Sequence, residues 1–449
     1  MNGSEGHHQP RRRSFLIRNA ASLVSTSVVT AGLGFVYWTV AARMFAVTDV
    51  GESTTAISAM SLMAPFTVLG FGTALISKLP TMRSGRAELV STAVTICALA
   101  ALLVSLACAL ILPPRFIGLP GVGHSVAATL LFVGGVVAHS VALLLDSALL
   151  SAVGGGVQLR RNTIHAVVKL ALLVLFAFTL RSYGALGIYA SWFLAAVISI
   201  LVVGVGLIRD YHLPLGELRP RLSSLDGLHF HAVKHHILNL SLSVPVFSMP
   251  IIANVILGSE KAGYLYATWS LAGFVFTLPI SMSIALFAAG AKDPSTILRE
   301  FRFSLRLSMA ATAAANLLIL PFGAFVLGIF GPAYAANGHT VLIILCLGGF
   351  GLVIRDHHMA VARISGDVGR EAVLMTVASV GELVGAAIGA HLGGLIGLST
   401  GWVIAVTLEG LVFAPRVWRT YRGHFTVGGR AADDGDGELQ PRQANAGEG

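Results

Sequence analysis

Long apolar runs broken by short polar clusters set the pattern of this chain. No Lys, Arg, Asp or Glu occurs from Asn19 to Ala42, or from Leu89 to Pro114. Each run exceeds the roughly 20 residues that a helix needs to cross a bilayer. Followed to its end, the pattern predicts twelve membrane-spanning helices at residues 20–42, 53–77, 87–112, 125–150, 163–181, 185–208, 237–257, 263–288, 303–330, 339–358, 371–391 and 393–414. The predicted fold class is an all-α integral membrane protein.

Composition agrees. The chain of 449 residues is 55% hydrophobic and 11% charged, where soluble domains carry roughly 25% charged residues. Such a chain has too little polar surface to cover itself in water. The opening stretch PRRRSFLIRN (residues 10–19) looks at first like a twin-arginine export signal, and Val40-Ala41-Ala42 offers small residues for cleavage. But a signal peptide carries an apolar region of about 7–15 residues ahead of a soluble passenger. Here the run is longer and many more follow, so the arginines read as the anchor of a first span that stays. Cys97, Cys108 and Cys346 all lie in apolar stretches and read as small hydrophobes. No cofactor and no metal are expected.

The net charge of +9 would suggest nucleic acid, were it not for where the charges fall. With twelve spans, 26 of the 30 Lys and Arg residues lie on the side of the N-terminus. Arg43, Arg115, Arg181 and Lys261 make up the other side. Basic residues resist translocation and mark the cytoplasmic face, so both termini are expected in the cytoplasm and no nucleic-acid partner is expected. The expected organisation is a cytoplasmic tail at 1–19, a six-helix bundle at 20–208, a basic loop at 209–236, a second bundle at 237–414 and a polar tail at 415–449.

The halves repeat each other. Lys78-Leu79-Pro80 ends the second span and Lys292-Asp293-Pro294 the eighth, an offset of 214 that also maps Pro65 onto Pro279. GALGIYASW (184–192) and GLIGLSTGW (394–402) open the sixth and twelfth spans at an offset of 210. Six spans is an even number, so both halves enter from the same face, a parallel repeat found in some secondary transporters. Prolines inside spans remove backbone hydrogen bonds and tend to kink helices. The matched Pro65 and Pro279 are hinge candidates.

The stretch from FLIRNAASLVSTSVVTAG to GFGTALISKLP (residues 15–80) resembles the opening of bacterial lipid-linked oligosaccharide flippases. These form the polysaccharide-biosynthesis branch of the multidrug/oligosaccharidyl-lipid/polysaccharide exporter superfamily. ILGSEKAGYLYATW (256–269) and IFGPAYAANG (329–338) resemble the short outer loops of that family, and the likeness runs from about residue 14 to 415. It implies two six-helix bundles in a MATE-like V shape in the bacterial cytoplasmic membrane. It further implies transport of a polyprenyl-pyrophosphate-linked glycan from the inner to the outer leaflet. Membrane lipids, and glycan polymerases or glycosyltransferases, are the partners it implies. An acidic residue at the place of Asp146 is also implied.

Flipping needs a wet cleft, and each ionisable residue within a span is a candidate for it. Arg18, Asn19, Lys78, Arg160, Arg161 and Lys169 are the candidate phosphate contacts, together forming a basic vestibule at the cytoplasmic mouth. Arginine suits the role because its planar fork grips phosphate oxygens in pairs; the same residues also serve simply as cytoplasmic anchors. Asp146 is a partner for Lys169 or Arg161 across the hairpin of spans 4 and 5. Glu382, in the middle of span 11, is the leading proton-coupling candidate, with Glu409 second. Arg355 and Asp356 close span 10 as an interfacial ion pair. HFHAVKHH (229–236) lacks a Cys or acidic partner and reads as an interfacial segment on lipid. Gly154-Gly155-Gly156 lacks the residues of a phosphate loop and reads as a turn.

No ATPase signature is present, so the driving force is external. A drug antiporter would need a buried acid for its cation, and spans 1 and 7 hold none. A membrane glycosyltransferase using Asp49 and Glu52 would need a soluble lobe, for which the short outer loops leave no room.

Overall fold

The computed structural model describes residues 31–82, 84–210, 218–225, 233–292, 297–366, 368–423, 426–427 and 430–431. Helices account for nearly all of these, because in lipid only a segment that pairs its own backbone groups can cross. In chain order they are α1 (residues 31–44), α2 (Val47–Thr67), α3 (Phe71–Lys78), α4 (Arg86–Ile111), the short α5 (Pro114–Ile117), α6 (Val126–Ala152), α7 (Gly155–Thr179), α8 (Ala185–Asp210), α9 (Val233–Leu257), α10 (Ser259–Lys292), α11 (Ile297–Gly328), α12 (Pro332–Ser365) and α13 (Val368–Tyr421). Among the described residues, nine helices are long and apolar enough to span a membrane, and α2 with α3 makes a tenth, bent by 54°. At 54 residues, or about 81 Å, α13 is far longer than one crossing needs, and it breaks at Gly393 and Gly394 into two arms. Each predicted span falls on one of these helices or arms, the first in its described part.

The two halves share a plan. In the first, α6 packs against α2, α3, α4, α7 and α8; in the second, α12 packs against α10, α11 and α13. These are the fourth and tenth spans. The third and ninth, α4 and α11, lie outermost and turn Leu103, Leu110, Leu317 and Phe325 outward, as lipid-facing helices do. The repeat reaches the backbone. Gly184 has φ 48° and ψ −119°, and Gly394, 210 residues later, has φ 61° and ψ −139°. Both turns require a conformation that side chains other than glycine rarely adopt.

The arms of α13 fold back on each other along a seam of glycines. A methyl group added at Gly389 would collide with the Gly397 carbonyl, and one at Gly385 would come within 2.7 Å of the Gly401 carbonyl oxygen. Small residues let helix backbones approach in lipid, where no hydrophobic force pulls them together. Gly389→Leu is therefore expected to split the hairpin. Yield of folded protein in detergent and a melting curve would check this; an unchanged melting temperature would mean that the close approach is dispensable.

Several boundaries differ from those read off the apolar runs. α7 begins at Gly155, not 163. α9 begins at Val233, so the end of HFHAVKHH is its first turn; His229 and His231 lie outside the described residues. α12 runs on to Ser365, and α13 continues through residues 415–421, which the apolar pattern alone places in the tail. In three of these extensions, those of α7, α12 and α13, polar side chains find partners inside the protein, so the helix need not stop where the sequence turns polar. The bend after α2 is set by Leu69 (φ 53°) and Gly70 (φ 78°), four residues beyond Pro65. α10 shows no such break at Pro279 and runs on to Lys292. The two matched prolines thus sit in unlike geometry.

Most basic residues cluster at one end of the helices, here called the basic end. At the opposite end the halves are tied together. Arg43 Nε donates to the Ile329 carbonyl (2.8 Å) and its Nη2 to that of Gly328 (2.7 Å). Asn254 Nδ2 donates to the Arg115 carbonyl (2.7 Å). α2 crosses α10 so closely that a methyl group on Gly51 would collide with the Ser259 carbonyl.

Candidate functional site

Between the halves lies a cavity of about 450 Å³. One half contributes Trp38, Asn162, His165, Lys169 and Trp192, and the other Tyr266, Ser270, Phe274 and Phe330. Lys169 stands 14 residues from the start of α7 and 10 from its end, near the middle of the span. Its side chain is buried, with 6% exposure. The ammonium lies 3.7 Å from the centre of the Trp192 ring and 4.8 Å from that of Tyr37. The Tyr37 hydroxyl is anchored by Ser191 (2.8 Å) and the Ile188 carbonyl (3.2 Å), which keeps the ring face toward Lys169. Aromatic faces attract a cation, with about 2 kcal/mol or more where water is excluded.

Lys169 has no carboxylate within 4 Å among the described residues, and the reason is local. Asp146 on α6 is taken by Arg161, whose Nε and Nη2 reach its two oxygens at 2.8 and 2.7 Å. Asn162 adds a bond from Arg161 (2.8 Å) and one to Asp146 (3.4 Å). Arg161 precedes Lys169 by eight residues, about 12 Å along the helix. The acid thus neutralises the cation nearer the basic end and leaves the central one uncompensated. Asp146→Ala is expected to cost about 3 kcal/mol, because it strands a buried guanidinium. A melting curve checks this, and a shift within about 0.5 kcal/mol would mean that water, not Asp146, satisfies Arg161.

The predicted basic vestibule is not one cluster. Arg18 and Asn19 lie outside the described residues. Lys78 closes α3 at the basic end, Arg160 is exposed on α7, and neither lines the cavity. Arg161 and Lys169 lie at different heights on α7 and face different helices. Lys169 alone of the described candidates reaches the cavity, and it sits deeper than a cytoplasmic mouth. Sequence reading missed Asn162 and His165. Their spacing with Lys169, at i, i+3 and i+7, puts all three on one stripe of α7.

The second half carries the opposite charge. Arg355 Nη1 donates to Glu382 Oε1 (3.0 Å) and lies 3.7 Å from Glu409 Oε2; its Nε lies 3.4 Å from Asp356 Oδ1. Trp402 Nε1 donates to the other Glu382 oxygen (2.6 Å). Three carboxylates thus surround one guanidinium, all four at least nine-tenths buried. Arg355 and Asp356 are not at an interface, as the sequence suggested. α12 continues past them, and they point into the bundle where α13 supplies partners. His357 bonds Ser304 (2.8 Å), and His358 bonds Glu371 (2.8 Å) while stacking on Phe413. Arg416 holds the other Glu371 oxygen (2.8 Å). Trp192 and Trp402, matched at offset 210, each touch the buried charge of their own half. One meets a cation and the other an anion.

Solved structures share the architecture. An inward-facing multidrug resistance MATE family transporter of the MOP superfamily aligns with 87% of this chain and 96% of its own, at 16% identity and a TM-score of 0.62. The lipid II flippase MurJ, in an inward closed conformation, aligns over 89% and 90% at 14% identity and a TM-score of 0.61. A Vibrio cholerae MATE transporter aligns over 92% and 97% at 15% identity and a TM-score of 0.60. At such identities the likeness is one of fold. No curated protein matches the chain in sequence. One protein family does, over residues 16–292, more than half of the chain. By that match, this multi-pass membrane protein with the MOP-superfamily fold belongs to the polysaccharide biosynthesis protein family.

Proposed function

We propose that the protein flips a lipid-linked oligosaccharide, headed by a polyprenyl pyrophosphate, from the inner to the outer leaflet of the bacterial cytoplasmic membrane. The basic end faces the cytoplasm, as the distribution of Lys and Arg favours. One observation carries the reading: a buried ammonium with no carboxylate partner lines the cavity between the halves. A charge at that depth is costly to keep and marks a functional site. Lys169 suits an anion, which would supply the charge that the protein withholds. Trp192, Trp38 and Tyr266 offer flat faces on which sugar rings can stack. The polyprenyl tail stays in the bilayer, where its apolar chain is already out of water and gains nothing by leaving. Membrane lipids, and the enzymes that make and polymerise the glycan, are the expected partners.

An anionic headgroup moving outward runs with an inside-negative potential, at about 2.3 kcal/mol per charge per 100 mV. Two charges thus gain about 4.6 kcal/mol per 100 mV without a coupling ion. Any protonic contribution would run through Glu382 and Glu409, which share Arg355. The cavity lining holds no carboxylate among the described residues, which disfavours a cationic drug as cargo. The test is flipping of a polyprenyl-pyrophosphate glycan in proteoliposomes at fixed pH. Collapsing an imposed inside-negative potential is expected to slow it at least tenfold; an unchanged rate would rule out electrical driving.

A further inference from the structure

We propose that the corner where α11 meets the end of α13 is a binding site for an anionic glycerophospholipid drawn from the surrounding leaflet. A groove of about 810 Å³ opens there at the basic end of the second half. Its walls are apolar: Leu305 and Met309 on α11, Ile354 on α12, and Leu411, Ala414 and Val417 on α13. Its rim is aromatic and cationic. Trp418 and Tyr421 stack with centroids 5.6 Å apart and planes within 5°. Three guanidiniums surround that pair. Arg302 lies 5.7 Å and Arg306 5.5 Å from the Tyr421 ring, and Arg422 lies 4.8 Å from that of Trp418.

Hydrogen bonds fix this rim. Arg302 Nε donates to the Tyr421 carbonyl (2.8 Å), and Arg306 donates to the Tyr421 hydroxyl through both Nε (2.9 Å) and Nη2. Arg299, Arg302 and Arg306 recur at i, i+3 and i+7 on one face of α11, and Arg419 on α13 and Arg422 just beyond its end add two more charges. The acid on this face among the described residues is Glu300, which pairs with Arg299 (3.3 Å). Among the described residues, no carboxylate pairs with Arg302, Arg306, Arg419 or Arg422, and the corner they form is strongly positive.

Charge complementarity selects the occupant. Tryptophan and tyrosine sit at the depth of lipid headgroups. A groove below that level meets acyl chain, and a cluster of arginines at it meets phosphate. A zwitterionic lipid would place its own ammonium against the arginines. An anionic lipid matches both halves of the site. The corner lies on the outer face of the second half, away from the Lys169 cavity, so the inference does not depend on what the cavity carries.

Binding to the purified full chain can be read by native mass spectrometry, with phosphatidylglycerol and phosphatidylcholine of identical acyl chains as probes. Phosphatidylglycerol is expected to be retained in preference. A basic residue near such a charge contributes about fivefold in affinity, so Arg306→Gln with Arg422→Gln is expected to weaken it about 25-fold. Arg422→Gln alone, at an exposed position, should weaken it about fivefold. Trp418→Ala should weaken both lipids. Arg86→Gln, which removes a charge elsewhere at the basic end, should change nothing. Equal retention of the two lipids, or an equal loss on Arg86→Gln, would overturn the proposal. So would displacement by inorganic phosphate alone, or preferential retention of a polyprenyl phosphate that phosphatidylglycerol cannot displace.

Discussion

Replacing Lys169 with methionine will slow transport of the lipid-linked substrate about 100-fold and leave the fold at least as stable as before. The two halves of this expectation have one cause. The ammonium is buried against the faces of Trp192 and Tyr37. In the empty protein it is a net cost, because the aromatic faces return only part of the lost hydration. Methionine fills the same space without that cost. With an anionic headgroup bound, the sign reverses. A hydrogen bond to a charged group contributes about 3 kcal/mol, and about 2.7 kcal/mol is a hundredfold in rate or affinity. Lys169→Arg keeps the charge and should retain activity to within about tenfold. A role in packing alone would give the reverse: methionine tolerated and stability tracking side-chain volume. Flipping rates and melting curves on the same preparations decide it.

The largest loss of stability is expected at Arg355. Arg355→Met leaves Glu382, Glu409 and Asp356 together in the bundle without the guanidinium that all three share. Breaking a buried ion pair from one side costs about 3–5 kcal/mol, because the remaining charge is stranded. Glu382→Gln should cost far less: Arg355 keeps two acids, and a glutamine oxygen can still accept from Trp402. Combining Arg355→Met with Glu382→Gln should recover about 1–2 kcal/mol of the loss, as neighbours that share a partner do in double-mutant cycles. Additive melting shifts would mean that the two residues do not interact, contrary to their 3.0 Å contact.

Much of the fold is legible in the sequence, because bilayer thickness imposes a length that apolar runs report directly. The repeat is legible too. Gly184 and Gly394 stand out as matched letters, and they share an unusual backbone conformation. Helix ends were harder. An apolar run stops where charge begins, whereas a helix stops where its side chains run out of partners. Arg355 to His358 belong to the bundle interior because Glu382, Glu371 and Ser304 face them from other helices, and no local pattern reports that. The site was half visible. Lys169 could be picked out as a charge within a span. Its freedom from Asp146 could not, since that depends on which of two cations on α7 the acid on α6 meets. Asn162 and His165 lay on a helical stripe that the span boundary at 163 cut in two.

In the proposed transport cycle, an anionic headgroup docks on Lys169 between the halves. The most direct test is the structure of the protein with a polyprenyl-pyrophosphate glycan bound. A phosphate oxygen within about 3 Å of the Lys169 ammonium, with the polyprenyl chain leaving toward lipid, is the predicted result. A pyrophosphate held instead at Lys78 and Arg160, with the cavity around Lys169 empty, would contradict it.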